Sequence, residues 1–377
     1  MRHTRAATAA ITLLSAATVT ACGQAITALP PPQAPYQYHL GAYTVARPSA
    51  NEAKIPFSPR LAVDYLEQGA LAWTHEGKCV ACHTNGTYMV VRPLLTLELG
   101  PPQKELYDYF VSTLHDELAA ETKAQEVEPT QVVYVAAGLA IWDAQVTHKL
   151  SPETRQALDL MFRLQRPTGD WPIGDDNNPP LESNTYQLAT VAARAVGNAP
   201  GWLAQVHGTP NEPHVTLLKR LLQQELKPQG DYDRTDLLWA SAEWPGLLTT
   251  ARQQELITMI FAHQQIDGGW SIRTFATPEE WGKGNRAPKL RAEVEFTAPP
   301  SDGHMTGLAL IALRKAGVPS TDPRIQCGVA WLLANQRASG RWYTRSLNRD
   351  GWQFITYSGT AYPLLALALC GKIANQP

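Results

Sequence analysis

Past Val19 this chain of 377 residues has no apolar run of the roughly 18 residues needed to span a bilayer, so any membrane link falls at the N-terminal end. It has no basic surplus either. Lys and Arg number 32 against 34 Asp and Glu, and the formal charge of −2 gives no electrostatic reason to expect nucleic acid. Cysteine is scarce, five in the whole chain, and one pair alone has metal-ligand spacing. A structural zinc ion ordinarily takes four protein ligands, and no second Cys or Cys/His pair accompanies the first.

That one pair is informative. Cys79-Val80-Ala81-Cys82-His83 places two thiols at C-x-x-C spacing directly before a histidine. Covalent haem attachment requires this pattern: the thiols add across the two vinyl groups, and the adjacent imidazole ligates the iron from the proximal side. One covalently held haem c is therefore expected, bound through Cys79 and Cys82, with His83 on the metal.

The N-terminus supports this expectation. Arg2, His3 and Arg5 precede an apolar stretch from Ala6 to Val19, which reads as a secretory signal over residues 1–21. Bacterial haem attachment takes place outside the cytoplasm, so a periplasmic or otherwise extracytoplasmic location is expected. Val19-Thr20-Ala21-Cys22 has the form of a bacterial lipobox, with Cys22 lipidated and leading the mature chain. The other reading is an ordinary secretory signal with an incidental Cys. Loss of residues 1–21 removes two arginines and no acid, which leaves the mature chain at −4. Residues 22–57, with Pro30-Pro31-Pro32 among many prolines, read as an extended tether.

Beyond the tether the sequence repeats. Gln165-x-x-x-Gly169-x-Trp171, Gln264-x-x-x-Gly268-x-Trp270 and Gln336-x-x-x-Gly340-x-Trp342 share one spacing, each closing an amphipathic helix. Ile325, Val329, Leu332, Leu333 and Gln336 illustrate the one-sided pattern. After each motif comes a second helix that is apolar nearly all round, such as Gly307 to Leu313, and it must be buried on every side. The same pairing predicts outer helices near 58–73, 104–124, 151–165, 213–227, 250–266 and 322–337. Their inner partners fall near 86–99, 129–144, 184–197, 234–248, 303–317 and 358–371.

Six such hairpins with Gln-Trp motifs resemble the all-α α6/α6 toroid of squalene-hopene cyclases and protein prenyltransferases, over nearly everything from Pro59 onward. The resemblance implies one toroid domain over 58–377 and a structural role for the motif, with Gln tied to the neighbouring helix and Trp packed between repeats. It also implies a central cavity opening where the inner helices start. Protonating cyclases carry an Asp-x-Asp-Asp run before one inner helix, whereas Leu181-Glu182-Ser183-Asn184-Thr185 stands here. The zinc-binding Asp, Cys and His of prenyltransferases have no match at the inner-helix starts, so neither activity is expected.

In the first hairpin Trp73-x-x-x-Gly77-x-Cys79 occupies the place of the Gln-Trp motif, which puts the haem in the turn at the mouth of the toroid. The inner-helix starts offer Tyr88, Met89, Thr130, Gln131, Tyr186, Asp236, His304, Met305, Tyr357 and Thr360. Of these, His304 and Met305 are the candidates for the sixth iron ligand, set against a plain capping turn. His75 reads as a second ligand, a propionate partner or a solvated turn residue.

The long connection 271–300 carries Arg273, Lys283, Arg286, Lys289 and Arg291 among acids. These residues, with Arg345 and Arg349, are candidates for holding propionates or docking a partner, or form a solvated mixed-charge loop. Cys327 and Cys370 either pair as a disulfide or are two small hydrophobes.

The expected function is electron transfer by an exported monohaem cytochrome with a redox partner protein. A haem-dependent oxidoreductase using the toroid cavity for a small or apolar ligand is the alternative, because about three hundred residues exceed what a carrier needs. A haem-based sensing or binding module is a third reading.

Overall fold

Three glutamines, each at the end of an outer helix, organise the architecture. In the computed structural model, which describes residues 36–40, 43–174, 178–224, 226–350, 352 and 354–373, six outer helices alternate with six inner ones. The pairs are α1 (Pro59–Gly77) with α2 (Asn85–Val91), α3 (Lys104–Thr122) with α4 (Pro129–Trp142), and α5 (Pro152–Arg163) with α6 (Thr185–Asn198). They continue as α7 (Glu212–Gln224) with α8 (Asp231–Glu243), α9 (Thr250–Ala262) with α10 (Gly303–Lys315), and α11 (Pro323–Asn335) with α12 (Phe354–Leu369). The expected signal peptide at 1–21, the lipobox Cys22 and the tether as far as Pro35 lie outside the described residues. Among the described residues no helix is long and apolar enough to cross a membrane.

Burial follows the two sequence patterns. Outer helices bury one face, as α11 does with Ile325, Gly328, Val329 and Leu332. Inner helices bury nearly every position: Gly303 through Leu313 in α10 and Ile355 through Leu367 in α12. The inner helices pack in chain order, α2 on α4, α4 on α6, α6 on α8, α8 on α10 and α10 on α12, and α12 packs on both α1 and α2. This all-α arrangement fits an α/α toroid.

Each repeat motif makes one set of contacts. The indole N–H of Trp171, Trp270 and Trp342 donates to the carbonyl ten residues earlier, on Met161, Ile260 and Leu332, at 2.6 to 2.8 Å. The Gln side chain reaches the next outer helix. Gln165 Nε2 donates to the His214 carbonyl at 3.3 Å, and Gln264 Nε2 donates to the Arg324 carbonyl at 2.8 Å. Gln336 joins the chain's ends: its Nε2 donates to the Ser58 carbonyl at 2.9 Å, and its Oε1 accepts from the Ser58 N–H at 2.6 Å. Gly340 has φ +86, and a Cβ there would stand 2.3 Å from the Leu61 carbonyl, so only glycine lets the turn approach α1.

Three details depart from the sequence pattern. The predicted inner helix over 86–99 stops at Val91 and continues as a 3₁₀ turn, because Pro93 has no N–H to extend the ladder. The tether expected to run to residue 57 is folded in its second half. Strand β1 (Tyr36–Leu40) pairs antiparallel with β2 (Tyr43–Ala46), both lie on α1, and Arg341 donates to the Ala46 carbonyl while pairing with Glu52. The body therefore begins at Tyr36, since a partner nearly three hundred residues away satisfies carbonyls that a tether would leave to water. Third, Cys327 and Cys370 are free thiols, and Cys327 packs against Gly268 of the preceding hairpin, which corrects the disulfide reading.

Gln336→Ala removes both bonds to Ser58 and leaves the half-buried backbone groups of Ser58 without these partners, so it should lower unfolding free energy by about 1–3 kcal/mol. Trp270→Ala should cost about 3–5 kcal/mol through the cavity it opens. Gln254→Ala, at an exposed position on α9, should stay within about 0.5 kcal/mol. Denaturant titration followed by circular dichroism measures all three, and a Gln336 loss no larger than that of Gln254 would contradict the proposed tie.

Candidate functional site

The turn between α1 and α2 is held by side chains bonded to its backbone. Lys78 ends α1 in the left-handed region, at φ +53. The Cys79 carbonyl accepts from Trp73 Nε1 at 3.2 Å and Asn85 Nδ2 at 3.0 Å. Asn85 Oδ1 accepts from the Ala81 N–H at 2.8 Å, Gln131 Oε1 from the Val80 N–H at 2.6 Å, and the Cys82 carbonyl from Thr87 Oγ1 at 2.6 Å. Gly86 sits under the turn, where a Cβ would stand 2.6 Å from the Ala81 carbonyl. With the backbone satisfied in this way, the side chains of Cys79, Cys82 and His83 are left to line a cavity.

That cavity measures about 670 Å³, within the usual range for pockets holding drug-sized ligands. Trp73, Gln131 and Glu182 complete much of its wall. It lies at the starts of inner helices, as placing the motif on the first hairpin predicts. Cys79 and Cys82 are free thiols, and burial pushes both up from the ordinary thiol range, with the neighbouring Glu182 carboxyl adding to the effect at Cys82.

His83 is fixed in orientation from three sides. Its Nδ1 pairs with Thr84 Oγ1 at 2.8 Å, its ring stacks on Phe354 with centroids 3.7 Å apart, and Trp73 meets it edge-on at 4.8 Å. Burial pushes its pKa down to about 3, so the imidazole is neutral at physiological pH. Nε2 has no hydrogen-bond partner among the described residues. A neutral imidazole with one nitrogen engaged and the other unengaged is the form that binds a metal.

Glu182 was not anticipated as a site residue. The stretch that lacks the cyclase acids still supplies this one, in left-handed conformation at φ +54, with its N–H held by Gln187 Oε1 at 3.0 Å. Its carboxyl lies beside Cys82, and burial pushes its pKa up. Its position just before inner helix α6 was the available signal.

His304 and Met305 do not join the cavity. Asp302 caps α10, its Oδ1 accepting from the Met305 N–H at 2.9 Å, and both side chains are fully buried within the helix layer. Both ring nitrogens of His304 are engaged, Nε2 with Tyr232 Oη at 3.0 Å and Nδ1 with Ser358 Oγ at 2.8 Å. This corrects the expectation of a distal ligand, because the two residues are packed where a capping turn alone would place them.

His75 pairs with Glu105 at 2.7 Å on the surface. Arg273 is bonded to buried Glu293, Arg345 to Glu293, Glu295 and Asp350, Lys289 to Asp350 and Arg291 to Glu279. None of these four, nor Lys283, Arg286 or Arg349, lines the cavity. Among the described residues no three His, Cys, Asp or Glu side chains gather as a metal site, so the two thiols and His83 do not converge on one ion position.

No family model matches this chain, and no curated protein matches it by sequence. Solved structures do resemble it. The ent-copalyl diphosphate synthase from Streptomyces platensis aligns at TM-score 0.50 and 15% identity over 76% of this chain, which spans 50% of that synthase's length. A glycosidase variant in complex with glucose aligns at TM-score 0.50 and 12% identity, and another glycosidase variant at 0.52 and 11%, each over 84% of this chain and 96% of the other. At these identities the likeness shows the fold alone: all-helical, in the manner of a terpene cyclase and of these glycosidases.

Proposed function

We propose that the chain is an exported c-type cytochrome on an α/α toroid, which carries one covalent haem and exchanges electrons with a redox partner protein. The observation that carries this reading is a cavity lined together by Cys79, Cys82 and His83, with a neutral imidazole whose Nε2 is unengaged among the described residues. Thiols that bond to a porphyrin edge need not converge with the imidazole on the metal, whereas zinc ligands must, and these donors do not converge. The residues present therefore fit the group.

A haem bound here would supply reversible one-electron chemistry. The protein's part is orientation and exclusion. Thr84 and Phe354 hold His83, Trp73 and Asn85 fix the turn through the Cys79 carbonyl, and Gln131 anchors Val80 to α4. Gln131 is itself held, its Nε2 donating to Glu117 Oε1 at 2.6 Å, so the contact reaches into the outer layer. We place the protein in the periplasm, joined to a membrane at most through Cys22.

A haem-dependent oxidoreductase is the second reading, and Glu182 favours it. A buried acid in the cavity wall is what a small bound molecule would need for proton exchange. Terpene cyclisation of the synthase's kind is not carried over, because the stretch 181–185 lacks the acidic run. Glycosidase chemistry is not carried over either, since at 11% and 12% identity the likeness to those structures extends to the fold alone.

The full chain, exported in a host that attaches haem, should gain the mass of one haem that survives denaturation. Cys79→Ser and Cys82→Ser should each leave at most one thioether, seen as a shifted spectrum in alkaline pyridine, and the double variant should retain no covalent haem. A folded wild-type chain without covalent haem would sink the proposal. Adding carbon monoxide to the reduced protein separates the two readings: an unchanged spectrum supports the electron carrier, and rapid binding supports the enzyme.

A further inference from the structure

Beneath the turn of Cys79 to His83 the inner helices bury polar side chains that neither reading above uses. Tyr134 of α4 packs its ring under the turn, 3.0 Å from where a Cβ on Gly86 would stand. Its hydroxyl is within electrostatic reach of Cys82, Tyr362, Glu182 and Asp236. Tyr362 of α12 likewise feels both Asp236 and Cys82. Tyr134 is 2% exposed, Tyr362 5% and Asp236 7%. Neither tyrosine hydroxyl has a hydrogen-bond partner among the described residues. Buried hydroxyls without protein partners are the places where ordered water sits, and water between hydroxyls carries protons.

Asp236 is an unusual acid to bury. Its one hydrogen bond comes from Gln187 Nε2, at 3.4 Å, and Asp233 stands three residues before it on the same helix. Arg194 of α6 is the nearby cation, but it is bonded to Glu243 at 2.8 Å and lies over the Trp239 ring at 3.6 Å. Around Asp236, Tyr134 comes from α4, Arg194 from α6, and Tyr232, Asp233 and Glu243 from α8. Tyr362 comes from α12 and meets the His304 ring of α10, while α9 presents the amide of Gln253 to α8. Burial, with Asp233 adding, pushes Asp236 up to about 7.

We propose that Asp236 is an internal proton-binding site that takes up one proton for each electron the attached haem takes up. The inference rests on the haem reading. In the step, one electron arrives from an external one-electron reductant, and one proton from solvent forms an O–H bond on the Asp236 carboxylate. Oxidation returns both, and no other bond forms or breaks. The cause is electrostatic: an added negative charge near the turn raises proton affinity at buried acids around it, and the linkage is reciprocal. Asp236 is tied to the cavity wall through Gln187, whose Oε1 accepts from the Glu182 N–H at 3.0 Å while its Nε2 donates to Asp236 at 3.4 Å.

The test is the midpoint potential of the haem-loaded chain from pH 5.5 to 9, for wild type, Asp236→Asn and Asp233→Asn. Because the proton favours the reduced form, the wild-type potential should be highest at low pH. It should fall as pH rises through neutrality, approaching tenfold in the reduction equilibrium per pH unit, or about 59 mV. Asp236→Asn should flatten this fall at unchanged haem content and circular dichroism, while Asp233→Asn keeps it. A protonated-carboxyl infrared band should appear on reduction in wild type and not in Asp236→Asn. A fall that survives Asp236→Asn, or a haem-loaded wild type whose potential does not vary with pH, overturns this proposal alone. A folded chain that never takes haem overturns the attachment reading, and this proposal with it.

Discussion

The hydrogen-bond pair between the Gln336 side chain and the Ser58 backbone fixes the first hairpin against the last. Ser58 is also the cap of α1, its side chain accepting from the Leu61 N–H, so the contact sets where the first outer helix begins. Gln165 and Gln264 make the same tie from α5 to α7 and from α9 to α11. A carboxamide suits this task because it donates and accepts at once, and at Gln336 both capacities are used on one residue's backbone. With hairpin 6 held against hairpin 1, α12 packs on α2, and its first residue, Phe354, meets the His83 ring.

That meeting explains why the thiol motif belongs to this fold rather than to an appended domain. In the other repeats, Trp after the glycine fills the space between outer and inner helices. In hairpin 1 Cys79 stands there, and Trp73, in the glutamine's place, turns its indole to the Cys79 carbonyl and its edge to His83. The space that an indole fills elsewhere is left as cavity wall, and a helix from the far end of the sequence supplies the stacking ring. A large scaffold around one site follows from this, because the site's parts come from α1, α2, α4, the connection before α6, and α12.

The outer and inner helices were legible because two periodicities differ so plainly, one-sided in α11 and all-round in α10. The motif turn was legible because Cys79 falls on the repeat spacing. What escaped was set by contacts between residues far apart in sequence. Arg341 captures the carbonyls of residues 46 and 47, which turns half a proline-rich tether into part of the body. His304 looked like a ligand because it stands at an inner-helix start, but Asp302 caps that helix so that the imidazole turns to Tyr232 and Ser358. Glu182 stands two residues before Asn184, the cap of α6, and it is the Gln187 side chain from the first turn of that helix that holds its N–H and so fixes it at the cavity.

The deepest omission concerns the inner helices, which read as apolar all round and are not. α8 buries Asp233 and Asp236, one held by Asn184 at 2.7 Å and the other by Gln187 at 3.4 Å, and burial pushes each to about 7. Folding such acids favours their neutral form. Their contribution to stability is therefore complete below the ordinary carboxylate range and is lost as pH rises through neutrality. A ring stabilised by helix packing alone has no use for this, since apolar residues of the same size would remove the loss. The acids are buried in the inner-helix layer, and two tyrosine hydroxyls lie in electrostatic reach of Asp236 and of Cys82. If the turn holds the haem proposed above, this polar interior is better explained by charge that changes there than by charge that stays.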